Sequence, residues 1–385
     1  MGRIVALPVI LLAACGRLGF ASETQQSDDA SDADSSSDSD AGAVAVAHVA
    51  TTNESSCAID PSGVLRCWGA NADGEAAQGD TNPRPTPVVV PGDWIAVDGA
   101  DYSYAAIARD GSVYEWGTNG SDQLALGDYN ERFSPTLLTT VDPLVTIATS
   151  VYNTNGLTAS GARWAWGRNT GSGLGTGDDL QVEVPVAPDS SWSSVSVGSG
   201  HTCGLKAGAL FCWGDNSNGD LGIGNTTQNL AAPQEVLGAQ WLVVSAGSAH
   251  TCGIQIDHSL WCWGSNFRNE LGDGTNTEQH APLHISNVSW LSVTAGADYT
   301  CAIDTNRDLY CWGYNNAGQL GVGDTAPHTT PTKVAGTGWA SVDLEDNDHA
   351  CATNVSNEVW CWGANTAQEL GTGDGMSHPS PVKIL

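Results

Sequence analysis

The sequence predicts an all-β protein with the architecture of a seven-bladed β-propeller. The dipeptide Trp-Gly occurs seven times at nearly even spacing, with successive separations of 48, 50, 47, 50, 49 and 50 residues. A period of about fifty residues without a helical pattern is typical of repeats that bury their apolar faces against one another. Each repeat also holds four short β-rich segments, which suits a ring of four-stranded blades because closure protects all but short edges.

The first residues predict export and lipid attachment. Residues 1–14 contain an apolar run, Ile4–Leu12, that is shorter than the roughly 20 residues of a membrane-spanning helix and is typical of a signal peptide. The string Leu-Ala-Ala-Cys resembles a bacterial lipobox, which implies that Cys15 is lipidated and becomes the first residue of the mature protein. An ordinary signal peptide with an incidental cysteine is the alternative.

Residues 15–42 join the lipidated cysteine to the repeats. From Ser22 to Gly42 the chain consists mainly of Ser, Asp and Ala. Low hydrophobicity and self-repelling charge predict a disordered, extended tether. Calcium binding is the alternative, but the Asp-x-Asp-x-Asp-Gly loop with a distant Glu is missing from this stretch.

The repeats occupy residues 43–385. In a representative unit, strands are predicted at 290–296, 299–303, 309–313 and 330–334, separated by polar or glycine-rich turns. Prolines in the fourth segment suit an edge strand, where a missing N–H is harmless. We expect the repeated tryptophans to pack between adjacent blades. They are Trp68, Trp116, Trp166, Trp213, Trp263, Trp312 and Trp362.

The repeat resembles that of the regulator of chromosome condensation family. The strings Gly200-His201-Thr202-Cys203-Gly204-Leu205, Cys212-Trp213-Gly214-Asp215-Asn216 and Gly313 to Asp324 carry the resemblance, which covers residues 43–385. It implies the propeller fold, and together with the lipobox it predicts an exported bacterial lipoprotein member of the family. It implies little about activity, because related propellers include a nucleotide-exchange factor, secreted inhibitors of β-lactamase and many exported bacterial proteins of unknown role.

Ten cysteines beyond Cys15 occur as five pairs, each bracketing one predicted hairpin. The two other repeats carry Ala105 with Glu115 and Asn155 with Ala165 at the matching positions, so each repeat has both cysteines or neither. This pattern, the proximity of facing residues on antiparallel strands and an oxidising compartment predict disulfides. The pairs are Cys57 and Cys67, Cys203 and Cys212, Cys252 and Cys262, Cys301 and Cys311, and Cys351 and Cys361.

Three histidines, His201, His250 and His349, each lie two residues before the first cysteine of a pair. Zinc bound by Cys and His is an alternative to disulfides, but ligand spacing of nine or ten residues is unlike that of structural zinc sites. A metal-binding ring of histidines around the channel would be incomplete. We expect instead that these histidines form hydrogen bonds within their hairpins. The corresponding positions in the other repeats hold Ser55, Ser103, Asn153 and Tyr299.

Familiar catalytic signatures do not occur in the sequence: it has no Gly-x-Ser-x-Gly elbow, no His-Glu-x-x-His helix and no phosphate loop ending in Lys-Ser or Lys-Thr. The Leu-Gly-x-Gly loops that end at Asp178 and Asp374 join predicted strands, so they lack the helix that a phosphate cradle needs. Each aspartate is expected to cap its turn. We therefore predict no catalytic residue, no cofactor and no metal ion.

The charge balance narrows the choice of partner. The chain has 13 basic and 43 acidic residues, and its formal net charge of −30 predicts that it does not bind nucleic acid. The sequence favours a non-enzymatic, monomeric protein, lipid-anchored at the outer membrane or cell surface, whose loops bind a protein or a cell-wall component. The alternatives are a carbohydrate-active enzyme of sialidase or lyase type, since the turn at 108–116 resembles an Asp-box, and a nucleotide exchange factor.

Lipidation at Cys15 predicts that an alkyne-labelled fatty acid enters the protein in bacterial cells and that the change Cys15→Ser abolishes the labelling. The serine variant should also leave the membrane fraction, because multiple acyl chains provide the attachment. Gel fluorescence after click chemistry measures the label. Unlabelled wild-type protein would favour the ordinary signal peptide.

Overall fold

The computed structural model describes residues 48–177, 191–226, 229–344 and 348–385. Within these ranges the chain forms seven antiparallel sheets and one short 3-10 turn at Thr170–Ser172. The predicted seven-bladed all-β propeller is therefore confirmed. The predicted signal segment, the lipidation site Cys15, the linker and residues 43–47 lie outside the described residues, as do Asp178 and the fourth segment of the third repeat. No described helix is long and apolar enough to cross a bilayer.

The sheets follow one another along the chain, so that each repeat forms one blade. The first three blades consist of β1 (His48–Thr51), β2 (Ser55–Ile59), β3 (Leu65–Gly69) and β4 (Arg84–Val90); β5 (Trp94–Ala100), β6 (Ser103–Ala108), β7 (Val113–Gly117) and β8 (Arg132–Leu138); and β9 (Thr146–Thr149), β10 (Asn153–Leu157) and β11 (Arg163–Gly167). Blades 4 and 5 consist of β12 (Ser194–Val197), β13 (His201–Lys206), β14 (Ala209–Gly214) and β15 (Leu230–Val236), and of β16 (Trp241–Ala246), β17 (His250–Gln255), β18 (Leu260–Gly264) and β19 (Gln279–Ser286). Blades 6 and 7 consist of β20 (Trp290–Ala295), β21 (Tyr299–Asp304), β22 (Leu309–Gly313) and β23 (His328–Lys333), and of β24 (Trp339–Leu344), β25 (His349–Asn354), β26 (Val359–Gly363) and β27 (His378–Lys383).

Inside each blade the described strands pair in chain order from the innermost first strand outward, to the fourth strand in six blades and to the third in blade 3. The second and third strands are almost wholly buried, whereas the fourth strands are half-exposed, as in β4 with Pro85 and Pro87. Proline suits this outer position because its missing N–H faces no partner strand. The apolar core lies between neighbouring blades, and one such cluster contains residues of both blade 6 and blade 7.

The innermost strands contact one another around the whole ring, including β1 with β24. The sequence left open whether the chain ends share a blade. In the described part of the chain they do not: β1 to β4 form the first sheet and β24 to β27 the last. The two blades therefore meet as any other neighbours do, through side chains and not through a shared sheet.

Side chains of the inner strands bind the backbone of the next blade. The carboxylate of Asp343 in β24 accepts hydrogen bonds from the Thr51 N–H at 2.7 Å and from the Thr51 hydroxyl at 2.9 Å. Asp98 in β5 binds Thr149 in the same way, at 2.6 and 3.0 Å. These contacts give a partner to an N–H group that the exposed edge of an inner strand would otherwise leave unpaired.

The ring has two distinct faces. The loop face carries the connections between first and second strands and between third and fourth strands, such as residues 52–54 and 70–83. The turn face carries the hairpin turns between second and third strands and the connectors between blades, such as residues 60–64 and 91–93. A backbone bond from Trp94 N to Gly63 O at 3.0 Å joins one connector to the preceding turn. Strand β1 begins at His48 on the turn face.

The change Asp343→Ala should reduce the free energy of unfolding by about 2 kcal/mol, because it leaves the buried Thr51 N–H without its acceptor. Asp98→Ala is the matched control at a seam inside the chain, and we expect a loss of similar size. Urea denaturation of both variants measures the two losses. Unchanged stability of the Asp343→Ala protein would contradict this account of how the ring closes.

Candidate binding site

The seven repeated tryptophans are fully buried at the boundaries between blades. Six of them donate their indole N–H to a backbone carbonyl in the loop between the third and fourth strands of the preceding blade, at 2.8 to 3.0 Å. Trp166 instead donates to the side-chain oxygen of Glu115 at 2.7 Å. These residues therefore support the scaffold and are not accessible to a ligand.

The glycine of each Leu-Gly pair lies directly on the tryptophan of the next blade. At Gly371, with φ of 74°, an added Cβ would come within 2.7 Å of the Trp68 ring. Five loops have glycine at this position, but blades 1 and 2 have Ala77 and Ala125, both also at positive φ. Alanine is strained at positive φ. The loops that precede Trp116 and Trp166 are therefore less favourable in conformational free energy than the five loops with glycine.

All five cysteine pairs lie opposite each other on the second and third strands of their blades and are joined as disulfides, with Cα atoms 4.1 Å apart. The two blades without cysteines have polar residues in the same buried place. Burial raises the pKa of Glu115 well above its usual range. Asn155 accepts a hydrogen bond from the buried Arg163 guanidinium at 2.7 Å.

The three histidines do not bond within their hairpins through Nε2, so that expectation is wrong. His201 Nε2 contacts Thr251 Oγ1 at 2.7 Å, and His250 Nε2 contacts Thr300 Oγ1 at 2.8 Å, in each case across the boundary to the next blade. His349 Nε2 likewise contacts Ser56 Oγ at 2.9 Å. The expectation considered only residues that lie opposite each other within one sheet. It could not identify these partners, because they belong to the sheet of the next blade.

Each of these hydroxyls also donates a hydrogen bond to a backbone carbonyl. Thr251 donates to the carbonyl of Asp220 at 2.8 Å, and the Trp263 indole donates to the same oxygen at 2.9 Å. Because the hydroxyl proton is used in this way, the Nε2 of His201 must donate its own proton to Thr251. The arrangement is a hydrogen-bonded link between blades and leaves Nε2 no lone pair for a metal ion.

The central channel offers little space. Its described lining on the loop face includes Gly247, Ser248 and Gly296, and the enclosed cavity is about 10 Å³. The hydroxyls of Ser199 and Ser248 lie 2.8 Å apart across the mouth. A space of this size holds about one water molecule, so the described part of this end of the channel has no room for a larger ligand.

The loops between third and fourth strands are rigid because a buried asparagine organises each of them. In blade 5, the side-chain oxygen of Asn266 accepts from Leu271 N at 3.1 Å, and its amide group donates to Asp273 and to the carbonyl of Thr277, each at 3.1 Å. Equivalent bonds link Asn315 with Leu320 and Asn365 with Leu370. The loop face is thus a set of fixed platforms with variable surface residues.

One such platform combines an exposed aromatic ring with a held cation. Phe267 is 71% exposed. The guanidinium of the adjacent Arg268 lies 4.7 Å from the centre of the Tyr314 ring, in the neighbouring blade, and 3.8 Å from a carboxylate oxygen of Asp298. We call Phe267, Arg268, Tyr314 and Asp298 the Phe267 surface. Arginine and aromatic residues dominate the energetics of many protein interfaces.

The described arginines do not gather into a substrate pocket. Several pair with a carboxylate of their own blade, such as Arg84 with Asp80 at 2.8 Å and Arg132 with Asp128 at 2.9 Å. Among residues 48–177, 191–226, 229–344 and 348–385, no three His, Cys, Asp or Glu side chains converge as metal ligands would. Asp374 caps its turn by accepting from Met376 N at 3.2 Å.

The sequence predicted only that loops bind a partner and did not single out Phe267. A large apolar residue among Asn, Arg and Glu in a predicted loop was the available signal. The stacking of Arg268 on Tyr314 could not be foreseen, because it joins two loops about one repeat apart in the sequence.

Comparison with known families identifies the repeats. Residues 160–205, 207–254, 257–303 and 308–342 match the model of the Regulator of chromosome condensation (RCC1) repeat. A second model of that repeat matches residues 192–220, 243–270 and 290–319. The repeat family predicted from the sequence is confirmed for residues 160–342.

Individual relatives are similar over limited lengths or at low identity. Protein RCC2 homolog of Xenopus laevis is 36% identical over 86 residues, which cover 21% of this chain and 17% of that protein. The chain thus matches only a small part of that relative's length. Human WBSCR16 has a similar structure, with a TM-score of 0.74 and 17% identity over 84% of this chain and 94% of that one. Prp20p of Saccharomyces cerevisiae, studied for its binding to Gsp1p and histones, gives a TM-score of 0.70 at 21% identity over 78% and 80%. Structural similarity at 17% and 21% identity shows the fold alone.

Acid should weaken the fold through the buried histidines. Burial lowers the pKa of His250 to about 3 and that of His349 to about 4. In the unfolded chain each of these imidazoles binds a proton below about pH 6.5, whereas in the folded chain it stays neutral. The free energy of unfolding therefore falls as the pH drops from about 6.5 toward these pKa values. Between about pH 7 and about pH 5, the decrease in the free energy of unfolding should be about 2 kcal/mol smaller for the His250→Gln variant than for wild type. Urea titrations at both pH values measure it, and an equal loss in variant and wild type would refute the assignment.

Proposed function

Starting from the regulator of chromosome condensation repeats that the chain carries, we propose that the protein is a non-enzymatic binding module, exported and lipid-anchored at the bacterial cell envelope. It recognises a protein or cell-wall component through its loop face. The observation that carries the proposal is the Phe267 surface, in which an exposed phenylalanine and a stacked arginine are held on rigid loops. A preformed surface loses little conformational entropy on binding.

The position of the first strand is compatible with anchoring. Strand β1 starts at His48 on the turn face, so the preceding segment, with Cys15 at its far end, joins the propeller there. A protein attached through that segment would keep its loop face clear of the attachment point. The formal net charge of −30 is compatible with a soluble, exported domain and disfavours binding to nucleic acid.

Nucleotide exchange on a small GTPase is the second candidate, favoured only by the repeat family. Prp20p is described as binding Gsp1p, and this chain is 21% identical to it. Export would separate the protein from cytosolic GTPases. Release of fluorescent nucleotide from a small GTPase in the presence of this protein would support this candidate in place of the envelope module.

Affinity capture on the envelope fraction of the bacterium tests the proposal, with detergent-solubilised wild type and two variants as bait. Phe267→Ala should lower the affinity for the retained component about 30-fold, because interface aromatics of this kind contribute about 2 kcal/mol. Leu237→Ala, which removes a side chain 82% exposed on the turn face, is the matched control and should bind normally. Failure of wild type to retain any component, or equal retention by all three proteins, would count against the loop face.

A further inference from the structure

A second concave site lies between blades 1 and 2, on the outer flank of the ring, and extends to the turn face. It is a groove of about 620 Å³. Gln78 lines it from blade 1, Asp93 from the connector, and Arg109, Asp110, Tyr114 and Ser134 from blade 2. Its volume is in the range of small-molecule sites, and its lining combines an aromatic ring with several polar groups. We call it the flank groove.

Gln78 forms part of one wall of the groove. Its position is occupied by aliphatic residues in blades 2, 4 and 6 and by polar residues in blades 3, 5 and 7, namely Leu126, Ile223 and Val322, and Thr176, Asp273 and Thr372. The three aliphatic side chains pack against the core shared with the next blade. The amide of Gln78 instead donates to the carbonyls of Ala76 at 3.0 Å and Val89 at 3.1 Å, both in its own blade. Tyr114 of blade 2 is half-exposed and lines the groove.

The rim supplies planar hydrogen-bonding groups. Arg109 Nε donates to Asp93 Oδ2 at 2.8 Å, and both side chains are 57% exposed, which leaves further guanidinium donors and carboxylate lone pairs for a ligand. Asp110 accepts from Ser112 N at 3.0 Å. Hydrogen bonds from Ser112 hold the pKa of Asp110 below its usual range, so this carboxylate is ionised and acts as an acceptor.

The chemistry of this lining selects the ligand class. A tyrosine ring offers a flat apolar surface to the C–H face of a sugar, and vicinal hydroxyls can both donate to a carboxylate and accept from a guanidinium. One cation against two carboxylates gives no attraction for an anionic ligand. We propose that the flank groove binds a short, uncharged saccharide. The proposal goes beyond the loop-face function and does not depend on the Phe267 surface.

Two other uses of the groove fit less well. An extended peptide would bind by adding to the edge of β4, but Pro85 and Pro87 remove backbone donors from that edge. A glycoside hydrolase needs a carboxylic acid that stays protonated, whereas the pKa of Asp110 is lowered. The groove is thus suited to holding a saccharide without cleaving it.

The test titrates the full-length protein with triacetylchitotriose and maltotriose, and separately with decaproline, by calorimetry. We expect saturable binding of at least one saccharide. Gln78→Leu, which introduces the residue found at the equivalent position of blade 2, should remove a polar group from the lining, place an aliphatic side chain against the neighbouring core and weaken that binding at least tenfold with the fold intact. Arg109→Ala should weaken it by a similar factor.

Phe267→Ala is the control that separates the two proposals, because it should weaken envelope capture about 30-fold and leave saccharide affinity unchanged. Saccharide binding that survives Gln78→Leu would overturn the assignment of the groove, as would the absence of binding by wild type to either saccharide. Decaproline binding that Gln78→Leu removes would assign the groove to a peptide and overturn the saccharide.

Discussion

The contact from each indole N–H to the preceding blade is the interaction on which the ring depends. No blade completes its own core: the ring of Trp68 is covered by a loop of blade 7, with Gly371 against it, and its nitrogen is bonded to the carbonyl of Glu369. A buried indole without that acceptor would lose a hydrogen bond to water and gain none. The recurrent Trp-Gly, the Leu-Gly pair and the loop asparagine therefore serve one purpose, which is to bring a carbonyl and a flat backbone surface to the next tryptophan.

Blades 2 and 3 show how the same contact is maintained with different chemistry. They lack the disulfide that joins the second and third strands elsewhere, and Trp166 uses the Glu115 side chain as its acceptor. In blade 3 the buried Arg163 bonds both Asn155 and the carbonyl of Leu174, at 2.7 and 2.9 Å. A covalent link has been replaced by buried polar pairs, and such pairs are stabilising only while every member keeps its partner. This arc of the ring depends more on packing than the five blades with disulfides do.

The fold could be predicted from the sequence because its period, its strand alternation and its turn residues all indicate the same architecture. The strands expected at 290–296, 299–303 and 309–313 match β20 to β22 within one residue at each end. Contacts between blades could not be predicted in this way. The bond from His250 to Thr300 spans a whole repeat, and the stacking of Arg268 on Tyr314 joins two loops. The flank groove is formed where blade 1, a connector and blade 2 meet, and no periodicity reveals how those three segments pack.

The seam between blades 7 and 1 uses the same kind of contact as the seam between blades 2 and 3, with no strand shared across it. Packing between blades therefore does not determine at which seam the chain begins and ends. A circular permutant that joined the end of β27 to the start of β1 and began at another connector on the turn face would have the same neighbours throughout. The propeller could therefore be reopened at a different blade, which would move the chain ends around the rim while the exposed loops kept their arrangement.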